Sequence, residues 1–569
     1  MKRRDFITGI TIGSTFLANI PYLSNASAHA HEKHKQKELK SDIVIVGGGL
    51  GGCAAALAAL RHGLCVTLSE ETDWLGGQLS QQGVPPDEHQ WIETHGAPAS
   101  YRAFRDRIRT FYKRNYPLTT EAKQRTHLNP GDGSVSRLCH EPRVAVAVLL
   151  EMLMPYLSSG KLTLLTDYRV IKAAIHQDQV TAVLVKHRHE DHELTLNGHY
   201  FIDATELGDL LPLTGTEYVT GTESKKETNE LHAPEVGKPE NQQAFTMCLA
   251  MDYQQGENHV IDKPEQYDFW RDFIPKMVPS WSGKLLDLSY SNPRTLQATT
   301  LGFNPTGEAT NKALNLWNYR KIINRHNFLP GAFGGDLSIM NWPQNDYFLG
   351  NLIDVPPAVY AKHLKAAKQL SLSLFYWLQT AAPRSDGGEG WPGLRLRGDV
   401  LGTADGLAKY PYIRESRRIK ATFTILEEHV GKENRGLVAG QSAASKAADF
   451  FDSVGIGYYH IDLHPSSGGD NYIDFSSLPF QIPLGAFLPI RMKNLLAANK
   501  NIGTTHITNG CYRLHPVEWS IGEAVGLLSA YVIRKKLTPH QVRNDQQLLN
   551  DFQRFVRKEG IETNWPNAI

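Results

Sequence analysis

Three polar residues alternate with two apolar ones in the stretch His460-Ile461-Asp462-Leu463-His464. Alternate residues of a strand share one face, so His460, Asp462 and His464 would project together while Ile461 and Leu463 turn the other way. Histidine changes charge near neutral pH and suits proton abstraction, and a neighbouring carboxylate can orient its ring. His464 is therefore the candidate base and Asp462 the candidate orienting group, with His460 beside them. The same spacing could hold a metal ion, but no further ligand is evident and none is expected. A strand that simply faces water is the alternative.

Two further stretches gather cations. "YPYIRESRR" reads as a helix entered near Pro411, which would set Arg414, Arg417 and Arg418 on one face. Like charges so placed repel unless an anion answers them, and a substrate carboxylate or a diphosphate would serve. "WPGLRLRGD" alternates Leu394 and Leu396 with Arg395 and Arg397. That pattern fits one face of a strand or an edge strand facing water.

The elements that must position these groups begin at "SDIVIVGGGLGGCAAALAALRHGLCVTLSEE". Ile43 to Val46 is a continuous apolar run, as in a parallel strand buried on both faces. Gly47, Gly49 and Gly52 follow as G-x-G-x-x-G, with Gly51 inside the motif. Their spacing allows a tight turn, close approach to a pyrophosphate and close helix–sheet packing. An alanine-rich helix, Cys53 to His62, stops at Gly63, and a second strand, Cys65 to Ser69, ends at Glu70. That acid lies near the spacing of about 20 residues at which a carboxylate meets ribose hydroxyls. Together these features predict a dinucleotide site.

FAD and NAD share that fingerprint. "DWLGGQLS" then places Gly76, Gly77 and Gln78 shortly after Glu70, and resembles the second glycine motif of FAD proteins of the glutathione-reductase type. Strands around Val170 lead to "FIDATELGDL", where Ala204 and Thr205 end an apolar strand. That segment resembles the strand end that closes over the nucleotide in that superfamily. Near the C-terminus, Arg513 and the helix start at Pro516 to Ser520, with Gly522 behind, resemble the segment that meets the pyrimidine end of a flavin. A helix N-terminus and an arginine there would stabilise a reduced, anionic ring.

Taken with "MNWPQNDY", "PYIRESRR" and "YHIDLHP", the chain resembles secreted bacterial FAD-dependent oxidoreductases, distantly akin to the fumarate reductase and succinate dehydrogenase flavoproteins. The resemblance covers most of the chain and implies non-covalent FAD. It implies little about substrate. Some relatives bind iron–sulfur clusters, but the cysteine ligands for one are missing here. No second G-x-G-x-x-G follows an apolar strand, so an internal NAD(P)H site is not expected.

Composition narrows the partners. Sixty basic against fifty-nine acidic residues, with no long run of one sign, give no basic face for nucleic acid. The five cysteines, Cys53, Cys65, Cys139, Cys248 and Cys511, form no C-x-x-C pair and are odd in number, which argues against a disulfide framework. Arg3 and Arg4 precede a moderately apolar stretch and then Ala26-Ser27-Ala28 and Ala28-His29-Ala30. This resembles a twin-arginine signal with A-x-A cleavage, a route that exports proteins already folded around a cofactor. The expectation is a periplasmic or otherwise extracytoplasmic protein with no membrane span after cleavage.

The expected fold is α/β. A doubly wound, Rossmann-like FAD domain is assembled from residues 41–220 and 395–535, with an α+β substrate domain inserted at 221–394. A signal (1–30), a linker (31–40) and a helical tail (536–569) complete the chain. The expected activity is oxidation of a small polar substrate, anionic or sugar-derived, by hydride transfer to flavin, with oxygen, a quinone or a redox protein taking the electrons. The alternatives are an electron-transfer flavoprotein subunit that serves a partner redox protein, and a redox-neutral flavoenzyme.

Overall fold

The computed structural model describes residues 37–307, 313–440 and 446–566. The signal expected at 1–30 and the first part of the linker lie outside the described residues.

Five short parallel strands form the nucleotide sheet, in the order Leu495–Ala497, Tyr200–Asp203, Ile43–Val46, Val66–Ser69 and Leu162–Leu165. Ile43–Val46 lies in the middle and is buried throughout, as a continuous apolar run requires. Val46 is level with Ser69 on one side and Asp203 on the other. Gly47, Glu70, Ala204 and Ala498 therefore leave the sheet along one edge, the carboxyl edge at which ligands of open α/β sheets bind.

The helix after Gly49 spans Leu50–Arg61 and begins one turn earlier than expected. Its small residues let a second helix, His515–Lys535, lie almost backbone to backbone. A Cβ on Gly522 would come 2.0 Å from the Gly51 carbonyl oxygen, and one on Gly526 would come 2.4 Å from that of Ala55. Glycine and alanine are thus what this crossing needs.

Beside this sheet stands a four-stranded one, in the order Lys37–Lys40, Glu193–Asn197, Gln179–His187, Tyr168–His176. Its first strand corrects the linker expectation, because residues 37–40 pair parallel to Glu193–Asn197. Leu39 packs against the main core, and the charged residues around it suit an edge strand. At the far end of the chain, Pro539–Asn544 and Gln546–Lys558 are helical. Val542, Leu549, Phe552 and Val556 bury themselves in the same core.

The inserted segment has a core of its own. Antiparallel strands run in the order Lys321–Ile323, Leu337–Met340, Leu249–Tyr253, Leu394–Leu396, and the helix Pro357–Thr380 belongs to the same core. Trp270, Trp317, Phe375 and Trp377 help fill it. Arg395 and Arg397 both bind Asp252 of the neighbouring strand (2.6 and 2.8 Å).

Residues 411–417 are not helical, against the sequence expectation. Tyr412 exchanges backbone hydrogen bonds with Thr246, and Arg418–Ile419 pairs with Tyr218–Val219. Proline at 411 also disfavours the α region for the residue before it. Non-local strand pairing has won over local helix formation. The three arginines consequently go separate ways.

Among the described residues no helix is long and apolar enough to cross a membrane.

Candidate active site

The carboxyl edge of the nucleotide sheet opens into a cleft lined by Gly47, Gly49, Glu70, Val170, Ala204 and Thr205, among others. Gly47 turns with φ 102°, and a Cβ there would sit 2.2 Å from the Ala204 carbonyl oxygen, so only glycine fits. Gly51 and Gly52 face the other way, into the sheet and the second helix. Gly49 faces the cleft, where an added Cβ would meet only the side-chain tips of Glu206, Glu518 and Asn499.

This end of the helix meets a buried network of charged side chains. The Gly51 N–H donates to Glu518 Oε1 at 3.1 Å, and Lys500, fully buried, pairs with Glu206 and lies 3.6 Å from Glu518. A helix N-terminus favours negative charge through its free N–H groups and dipole. Beyond Gly76 and Gly77, the Gln78 amide nitrogen donates to the Arg513 carbonyl at 2.9 Å and also to Glu518. Gln78 Oε1 and Gln82 Nε2 are buried with no protein partner. Orphaned polar atoms between a glycine-lined cleft and a second cavity fit the ribityl arm and ring of a flavin.

Glu70 accepts hydrogen bonds from the Gly48 N–H (2.8 Å) and the Thr72 N–H (2.9 Å), and burial pushes its pKa up to about 7. It is thus ionised above neutrality and protonated below. If it also receives ribose hydroxyls, flavin affinity should rise as pH climbs through 7. The Glu70→Gln variant should lose about 1.5 kcal/mol at pH 8, roughly tenfold in affinity, and the pH dependence with it. Equilibrium titration of the apoprotein with FAD at pH 6 and pH 8 checks both.

Arg513 carries the path from the glycines to a second cavity of about 380 Å³. Its side chain lines that cavity with His460, Asp462 and His464, so four of the residues expected in catalysis meet at one place. Arg414 joins them. Arg417 does not. It is bound to Asp354 (2.9 Å), Asp209 (3.2 Å) and the Leu207 carbonyl, and this corrects the expectation that it faces a substrate. Arg418 is likewise consumed by Glu223 and Glu415.

Sequence reasoning found only one of the two carboxylates that orient the histidine. His464 Nδ1 lies 2.6 Å from Asp346 Oδ2, while Nε2 lies 3.2 Å from Asp462 Oδ2. Asp346 is fully buried, accepts from the Thr246 hydroxyl (2.6 Å) and pairs with Arg414 (2.9 Å). Burial opposes its charge, but Arg414 and His464 hold its carboxyl below the usual range. Asp462 is anchored instead by Arg513 Nη2 at 2.8 Å. Against burial, His464, then Arg513 and His460, hold it well below the ordinary value. Tyr472 completes the group, its hydroxyl 2.5 Å from His464 Nδ1.

The Arg414–Asp346 pair yields a stability test. Arg414→Met leaves Asp346 buried without its cation, which should cost about 3–5 kcal/mol, read by urea unfolding. Asp346 has a depressed folded pKa, so its contribution is complete above the ordinary value of 3.8 and is lost as pH falls below it. The deficit of the variant should therefore shrink in acid.

The chain matches the FAD dependent oxidoreductase family over residues 42–556. It belongs to that family. The chain is therefore a member of an FAD-dependent oxidoreductase family with a Rossmann-like fold, and the cleft and its glycines are where FAD would be held. No functionally curated protein matches it. Among solved structures, the quinol fumarate reductase protein FrdA of E. coli is 9% identical with a TM-score of 0.32, covering 92% of this chain and 74% of that one. The Mycobacterium smegmatis Sdh1 protein is 10% identical with a TM-score of 0.29, covering 88% and 69%. The L-proline dehydrogenase of P. horikoshii is 15% identical with a TM-score of 0.17, covering 34% of this chain. This chain spans about a quarter of the length of that dehydrogenase (26%). Similarities this low identify no substrate.

In the FAD-dependent oxidoreductase, Gly47, Gly49 and the helix N-terminus would hold the diphosphate, Glu70 the adenosine ribose, and Gln78 and Arg513 the flavin end. FAD supplies a two-electron acceptor when bound. The chain supplies the rest: Asp346 fixes one nitrogen of His464, Asp462 and Arg513 shape the wall beside the other, and the cavity walls orient whatever enters.

Proposed function

We propose that this flavoenzyme is exported folded and oxidises a small polar substrate, anionic or sugar-derived, by hydride transfer to non-covalently bound FAD. The observation that carries the reading is His464, held at the wall of a cavity between two carboxylates (2.6 and 3.2 Å), in the cavity that Arg513 also lines. Asp346 fixes the ring through Nδ1, so Nε2, on the Asp462 side, is the nitrogen that would take a proton from a substrate hydroxyl or amine. The substrate C–H bond would break with its hydrogen and both electrons passing to FAD as hydride, while the O–H or N–H proton passes to His464 and a C=O or C=N bond forms. Oxygen, a quinone or a redox protein reoxidises the flavin.

An anaerobic screen tests the oxidation. Loaded protein is mixed with sugars, acidic sugars, amines and hydroxy acids, and bleaching of the flavin band is followed. Bleaching by at least one supports the reading. A flavin that stays oxidised throughout, yet exchanges electrons with a partner redox protein, would favour an electron-transfer subunit. Export rests on Arg3-Arg4, and Arg3→Lys with Arg4→Lys should leave the loaded protein in the cytoplasm, read by cell fractionation.

A further inference from the structure

Several buried donors on residues that line the substrate cavity have no acceptor, Arg320 Nε and Arg513 Nε among them, and the densest group stands around Arg414. At one corner Arg414 Nη2 meets Asn341 Oδ1 at 3.3 Å. Around that contact, Arg414 Nε, Asn341 Nδ2 and Trp342 Nε1 are buried donors with no acceptor, on residues only 2%, 4% and 2% exposed. All three residues line the cavity. Buried donors are ordinarily satisfied, and a carboxylate, which only accepts, answers three donors at once.

The opposite chemistry lies along Asp462 and Asp474, which line the same cavity with His460. Each carboxylate already holds one arginine, Arg513 on Asp462 and Arg294 on Asp474, both at 2.8 Å. An ionised carboxylate has about four acceptor sites, so each keeps room for hydroxyl donors. Tyr290, Tyr459 and Tyr472 also line the cavity, aromatic surfaces for the C–H face of a ring.

We propose that the cavity takes an acidic sugar: a hexuronate or the matching aldonate, its carboxylate at Arg414, Asn341 and Trp342 and its vicinal hydroxyls at Asp462 and Asp474. The cavity, at about 380 Å³, is in the range of small-molecule sites. A neutral sugar leaves the donor corner unanswered. A simple dicarboxylate has no hydroxyl to donate to the two aspartates. The oxidation of such a sugar rests on the function proposed above; its binding does not.

The flavin-loaded enzyme is titrated with D-glucuronate, D-galacturonate, D-mannuronate and D-gluconate, and with D-glucose and succinate for comparison. Binding is read by perturbation of the flavin spectrum and by thermal shift. At least one acidic sugar should bind saturably, about tenfold or more tighter than glucose or succinate. Asn341→Ala should weaken it by about tenfold, and Trp342→Phe, which removes only the donor and keeps the bulk, should weaken it several-fold. Both variants should leave the flavin content unchanged. Failure of all four acids to bind, or equal binding of succinate, overturns the proposal. An acidic sugar that binds and never bleaches the flavin keeps the substrate class and removes the oxidation. Bleaching by an amine or a simple hydroxy acid alone keeps the oxidation and removes the substrate class.

Discussion

Purified Gly49→Leu protein is expected to fold normally and remain colourless. The backbone at Gly49 has φ −64° and ψ −172°, values that any residue adopts, so leucine costs no backbone strain. Its Cβ would meet Glu206 Oε1 at 3.0 Å and Glu518 Oε1 at 3.3 Å, the far ends of side chains that can move. The bulk instead enters the space the diphosphate needs, beside the first N–H groups of Leu50–Arg61. Overpacking of about 1–3 kcal/mol, together with loss of close approach to those groups, should cut affinity by roughly a hundredfold or more. Gly47→Val offers the contrast. There the Cβ collides with backbone at 2.2 to 2.5 Å and φ is 102°, so this variant should lose its fold along with its flavin. Flavin content and circular dichroism separate the two outcomes.

The second large effect belongs to His464. His464→Asn should slow flavin bleaching by an active substrate by about 10²- to 10⁴-fold while flavin content stays at the wild-type level. Asp346→Asn should act through orientation and give a smaller loss, since the ring keeps its Asp462 contact. It should also lower stability, because Arg414 then lacks its carboxylate. Stopped-flow reduction under anaerobic conditions measures both. Unchanged bleaching in the His464 variant would remove that residue from the chemistry and leave the cavity without an assigned base.

The cofactor half of the molecule was legible because its signals are local. Ile43 to Val46, the glycines after it and Glu70 occupy one short stretch, and each residue type answers a geometric demand at its own position. The alternation of His460, Asp462 and His464 was legible for the same reason: a strand places them on one side whatever surrounds it. Arg417 was misread because its surroundings are not local. The segment it sits in exchanges hydrogen bonds with Thr246 and Tyr218–Val219, and no helical spacing survives that pairing. Asp346 escaped assignment although the "NWPQNDY" run containing it stood out. Its contact with His464 spans 118 residues, and nothing around an isolated aspartate says which histidine it will meet. Asn341 and Trp342 are hidden in the same way, since each becomes a cavity donor only when the inserted segment folds against the strand of His464.

The central claim is that this chain holds FAD non-covalently in its glycine-lined cleft. The most direct measurement is the flavin content of protein produced with its native export route intact, followed by acid precipitation and identification of the released chromophore. The account predicts a yellow protein that releases stoichiometric FAD into the supernatant. Folded protein that is colourless as isolated and takes up no FAD on titration would contradict it.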